Sequence, residues 1–126
     1  MSRQEAARIV FIARAYRADD KKFRSDAKLV NEVTEALWNA DFASLSALTH
    51  SVSSGWRINS LKFHYFWQDM AKSSDAVLAL PGWDACPCSH AEVSLASNAG
   101  VPIFYLEDMT MLEVIAGLKA VPRQNP

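Results

Sequence analysis

Residues 75–106 read DAVLALPGWDACPCSHAEVSLASNAGVPIFYL, and this stretch decides the fold. It opens on AVLAL at 76–80, a run of strand length with no polar face. Such a strand is buried on both sides, as in a parallel sheet. Pro81-Gly82 breaks the run. Ser89 to Ala99 reads as a helix, with Ser89 and Glu92 at capping-box spacing and Gly100 in the place of a helix C-terminal glycine. VPIFYL at 101–106 is the next strand, with Pro102 near its start, where a missing donor is tolerated.

Upstream, IVFIA at 9–13 is a second strand with two apolar faces. Phe23, Ala27, Val30, Val33 or Thr34, and Leu37 recur every three to four residues and make one apolar helical stripe. FASLSAL at 42–48 is a weaker strand, rich in Ala and Ser. THSVSSGWRIN at 49–59 is rich in turn residues. Residues 61–72 read as a helix crowded with Phe63, Tyr65, Phe66 and Trp67. Phe63 and Phe66 read first as core, and the surplus of rings is expected to reach a pocket or a neighbouring subunit. Downstream, 110–118 is a short helix with Thr110 and Glu113 spaced as a capping box. The tail from about 119 to 126 has no pattern and is expected to be mobile or to dock on a neighbouring subunit.

Strands alternating with helices at this spacing predict an α/β protein, a single three-layer domain over residues 1–126 with a mainly parallel sheet of the flavodoxin-like type. In such sheets ligands bind beyond the carboxyl ends of the strands, where strand order reverses. Two loops meet that description: RAYRADD at 14–20 and PGWDACPC at 81–88.

Composition narrows the partners. The chain has 126 residues, with 13 basic and 14 acidic side chains and a net charge of −1. No general basic field is present to attract nucleic acid or an anionic membrane. The apolar runs fall far short of the ~20 residues that span a bilayer, and MSRQEAAR lacks a signal-peptide core. A cytoplasmic protein is the expectation, and a small anionic ligand stays open because it needs only a local site. The two cysteines, Cys86 and Cys88, stand too close for a good disulfide. With His90 they spell C-x-C-x-H, but a closed zinc site needs four ligands and there is no second pair. No metal is expected.

The segment Asp75-(apolar)-Leu80-Pro81-Gly82-Trp83, followed by Glu92 nine residues after the tryptophan, resembles the nucleoside 2-deoxyribosyltransferase-like superfamily. It is most similar to the small bacterial and phage branches known as DUF1937 and DUF4406. FIARAY, with Tyr16, is similar to that family's opening strand and A-x-P-Y loop, and LTHS, with His50, to its second-strand ending. The resemblance covers roughly residues 8 to 107. There are departures: Ala15 stands for the loop proline, Cys88 for a glycine four residues before the glutamate, and Trp67 for an aspartate eight residues before Asp75.

The resemblance implies an N-glycosidic-bond enzyme acting on deoxynucleosides or deoxynucleotides, by base transfer or hydrolysis. Glu92 would be the nucleophile at C1′. Asp75, Asp69 or Asp84 would supply the acid or orient the sugar, and Tyr16, Arg17, His50, Trp83 and Ser89 would shape the substrate site. It implies no cofactor, and a homo-oligomer whose subunits complete each other's sites. Each residue also has a plainer reading. Ser89 and Glu92 are explained by a helix cap, Asp75 by a loop, Arg17 by the surface, His50 by a core edge and Trp83 by packing. Two alternatives therefore stand beside the enzyme: a nucleotide-binding module without turnover, which the changes at Cys88 and Trp67 favour, and an oligomerising α/β scaffold.

Overall fold

The computed structural model describes residues 8–14, 20–46, 61–85 and 87–122, with the backbone alone at 20–27, 61, 63 and 64. Four strands form one parallel sheet: β1 (Arg8–Ala13), β2 (Phe42–Leu45), β3 (Ala76–Ala79) and β4 (Ile103–Tyr105). Their order is β2-β1-β3-β4, a doubly wound order of the flavodoxin-like kind. Register follows from Val10 opposite Ala76 and Ala13 opposite Ala79, and from Val77 opposite Ile103.

Helices cover both faces, giving the three layers expected. Along β1 and β3 successive side chains point to opposite faces. Val10, Ile12, Leu78 and Leu80 meet α1 (Asp20–Asn39) and α4 (Met111–Lys119) through Val30, Val33, Leu37, Val114 and Leu118. Phe11, Ala13, Val77 and Ala79 meet α2 (Leu61–Ser73) and α3 (Pro87–Asn98) through Trp67, Ala71, Val93 and Ala96. The continuous apolar runs of β1 and β3 are thus what two covered faces require. No described helix is long and apolar enough to cross a membrane.

Several boundaries differ from expectation. β4 is shorter than 101–106, because Pro102 lies before the strand and contributes only its carbonyl, which accepts the Val77 N–H at 2.9 Å. β2 ends at Leu45, and 47–48 lie outside the described residues. α3 begins at Pro87, two residues early, since proline's fixed φ and missing N–H suit a first helical position. On α2 it is Trp67 that faces the core, tilted against Phe11, whereas Phe66 is 54% exposed and stands edge-on to the Trp67 ring. Phe63 has no described side chain. The tail is ordered further than expected: Val121 is buried, and its N–H reaches the Leu118 carbonyl.

Candidate functional site

The chain leaves β1 for β2 on one side and returns to β3 on the other, so the topological switch lies between β1 and β3. Beyond the carboxyl end of β1 stands Arg14, only 4% exposed. Beyond β3 the chain turns through Leu80, Pro81, Gly82 and Trp83, closed by the Trp83 N–H on the Leu80 carbonyl at 3.1 Å. Pro81 supplies the fixed φ of the first turn position, and Gly82 has φ +90°, as the second position of a type II turn demands. The glycine has a second role. A Cβ there would stand 2.7 Å from Nη1 of Arg14, so the guanidinium lies against its backbone. Arg14 therefore spans from the end of β1 to the turn after β3, across the switch point.

Trp83 opens a short 3-10 turn, Trp83–Ala85, and α3 follows. Ser89, fully buried, donates its hydroxyl to the Trp83 carbonyl and pins the turn to the helix. The Trp83 ring stacks on His90 with centroids 5.7 Å apart and planes at 19°, and tilts against Tyr105 from the end of β4 at 5.7 Å. His90 Nδ1 also lies 3.5 Å from the Ser94 hydroxyl. Ser89, Glu92, Val93 and Ala96 form the buried stripe of α3, and Glu92 is 1% exposed.

The early start of α3 changes the reading of Glu92. Ser89 is the third residue of the helix and Glu92 the sixth, so Ser89 is not the residue before the helix and the expected capping box does not form there. Glu92 belongs to the second turn, not the first. Its side chain leans toward the helix N-terminus, as all helical side chains do, and the peptide dipoles of the first turn favour negative charge at that end.

The structure joins Ser89 to Trp83 and sets Glu92 on the same buried stripe as Ser89, with Asp75 and Asp69 elsewhere. Asp75 stands at the amino end of β3, where its Oδ2 accepts the Ile9 N–H at 2.7 Å. Four residues of strand, ~13 Å, separate it from Ala79 at the other rim. The expectation that it acts beside Glu92 is corrected by this position: an aspartate before a parallel strand joins the wrong end of the sheet. Asp69 lies on the solvent side of α2, 3.7 Å from Lys72, and does not face the sheet. Asp84 is exposed on the 3-10 turn. Tyr16, Arg17 and His50 lie outside the described residues. So does Cys86, and among the described residues no three His, Cys, Asp or Glu side chains gather as metal ligands.

Arg14, His90 and Tyr105 were not among the expected site residues. A charged residue closing an apolar strand reads as solvated, and only burial sets Arg14 apart. His90 was read only with the two cysteines and Tyr105 only as part of a strand, and their meeting at Trp83 depends on the tertiary fold.

No protein-family model matches the chain, and no curated protein matches it. Among solved structures it is similar to the CMP N-glycosidase BcmB of Clostridium botulinum. The identity is 18%, over 88% of this chain and 82% of that one, with a TM-score of 0.57. At that identity the likeness is one of fold, the three-layer α/β arrangement with a parallel sheet.

Proposed function

We propose that the protein cleaves the N-glycosidic bond of a nucleoside or nucleotide, deoxyribosyl substrates included, with Glu92 as nucleophile. The observation that carries this reading is a fully buried glutamate on the helix that follows β3 at the switch point. The shared fold with a CMP N-glycosidase supports it.

The step runs as a double displacement. A Glu92 carboxylate oxygen bonds to C1′ as the C1′–N bond breaks, and the bonding pair leaves with the base, which takes up a proton. Water then attacks C1′, the ester bond breaks to restore the carboxylate, and the water's proton balances the one the base gained. A second base in place of water gives transfer. The reading needs no metal or organic cofactor. Asp75 and Asp69 are left out of it, one being bonded to Ile9 at the far rim and the other turned to solvent beside Lys72. Tyr16, Arg17 and His50 enter as groups that shape the base and phosphate ends, and Trp83 and Ser89 as the wall beside Glu92. A homo-oligomer belongs to the same proposal, with the exposed rings of Tyr65 and Phe66 as the surface a second copy covers.

The test is release of free base from a panel of nucleosides and 5′-nucleotides, ribo and deoxy, CMP among them, by the wild type and Glu92→Gln. The variant is expected to lose activity by at least roughly 1000-fold, the scale of a lost nucleophile. Release that survives the substitution overturns the nucleophile. Binding without release by the wild type leaves a nucleotide-binding module, and neither leaves a scaffold.

A further inference from the structure

Ser89 sits inside a helix and bonds outside it. A serine within a helix usually turns its hydroxyl to the carbonyl three or four residues back. Ser89 reaches six residues back instead, to the Trp83 carbonyl in the 3-10 turn. The sequence supplies the reason. The main-chain donor four residues after Trp83 would belong to residue 87, and that residue is proline, which has no N–H. The hydroxyl of Ser89, itself fully buried, takes the place of the missing donor.

That bond completes a series of ties. The Ala13 carbonyl at the end of β1 accepts the Leu80 N–H at 3.0 Å, and the Leu80 carbonyl accepts the Trp83 N–H at 3.1 Å. Through Trp83 and Ser89 the first turn of α3 is thereby fastened to the carboxyl ends of both central strands. Glu92 follows Ser89 by three residues, ~4.5 Å along the axis, on the same buried stripe. The anchor and the glutamate are therefore neighbours on one helix face.

We propose that Ser89 is a positioning residue for Glu92: by fixing the first turn of α3 to the Trp83 carbonyl, it sets where the glutamate stands relative to the two central strands. The inference rests on the N-glycosidase reading and adds a residue that acts on the reaction through the nucleophile. The one hydroxyl proton of Ser89 is engaged by Trp83, so its task is not to donate to a sugar or a base. A carboxylate oxygen that bonds to C1′ must first stand about 3–3.5 Å from it, and a displacement of about 1 Å costs up to roughly 100-fold in rate. Loss of the Ser89 tie frees the helix start to shift, and the loss falls on the bond-forming step and not on substrate binding.

Single-turnover release of base by the wild type, Ser89→Ala and Ser89→Cys tests this, with each rate taken per folded molecule and the half-saturating concentration measured alongside. Ser89→Ala removes the donor. Its rate at saturation is expected to fall by roughly 10- to 100-fold, with half-saturation near the wild-type value. Ser89→Cys, kept under reductant, is close in size and offers only a weak donor. Its rate is expected to fall between the two, and it carries the test if Ser89→Ala does not fold. In the Glu92→Gln background, Ser89→Ala is expected to bring no further loss, because the serine acts only through the glutamate. A wild-type rate in Ser89→Ala, or in Ser89→Cys where that variant stands in, overturns the proposal. So does weaker half-saturation at an unchanged rate, the mark of a substrate contact, and so does an equal further loss in the Glu92→Gln background, the mark of a general structural role. In those cases Glu92→Gln alone still decides the glycosidase reading. If the wild type releases no base, that reading fails and takes this one with it.

Discussion

Asp75 and Ile9 are joined twice: the Asp75 carboxylate accepts the Ile9 N–H at 2.7 Å, and the Asp75 N–H reaches the Ile9 carbonyl at 2.9 Å. A side chain thus extends the ladder between β1 and β3 past the last paired strand residues. Both central strands are fastened where they begin, at the rim opposite Glu92.

Asp75→Ala is accordingly expected to act on stability alone. It removes the acceptor of a main-chain donor at the edge of the core, a loss of about 1–3 kcal/mol. The midpoint of urea unfolding should fall while base release per folded molecule stays at the wild-type level. Lost turnover at unchanged stability contradicts this assignment.

Gly82→Ala tests the turn and Arg14 together. A residue other than glycine at φ +90° is strained by about 1–2 kcal/mol, and the new methyl would sit 2.7 Å from Nη1 of Arg14. The guanidinium must move, so thermal unfolding should come earlier and nucleotide affinity should change. A variant with wild-type melting and binding shows that neither constraint operates.

Trp67 and Phe66 are neighbours with opposite expected effects. Trp67 packs on Phe11 inside the α2–α3 layer, and Trp67→Ala should cost about 3–5 kcal/mol. Phe66 is mostly in solvent, and Phe66→Ser should stay within about 0.5 kcal/mol in dilute protein. Chemical denaturation of the two variants separates them. A large loss in the Phe66 variant that grows with protein concentration would show the ring covered by a second copy.

Glu113 gives a pH dependence with a definite sign. Its carboxylate accepts the Thr110 N–H at 2.9 Å, and its own N–H donates to the Thr110 hydroxyl at 3.2 Å, the capping box of α4. The Thr110 main-chain bond first, and its hydroxyl second, hold the Glu113 carboxyl below its ordinary value of 4.5. The folded protein therefore takes this proton less readily than the unfolded chain does. The contribution is complete above 4.5 and is lost as pH falls from there through the lowered folded value. Glu113→Gln should flatten that part of a stability–pH curve and leave the neutral region's slope unchanged.

The layers were legible because they depend on local patterns. IVFIA and AVLAL have no polar face, and only a sheet covered on both sides accommodates them. The α4 cap was legible because Thr110 and Glu113 lie three residues apart and need no other part of the chain. The site was less so. Glu92 and Trp83 stand out through a motif, but Pro87 moved the helix start, and that took Ser89 and Glu92 out of the cap their spacing suggested. Asp75 belongs to the same motif and serves the opposite rim, since chain proximity says nothing about which end of a strand a residue guards. Arg14 and His90 gain meaning only from burial and stacking, and neither is written in a residue's type.

The double tie between Asp75 and Ile9 divides labour along the strands. One margin is sewn shut by side chain and backbone together, while at the other Arg14 reaches across and the rings of Trp83, His90 and Tyr105 gather. Loops at that second margin can be exchanged or lengthened without unpicking the stitching beneath them, since the strands are tied at the far end.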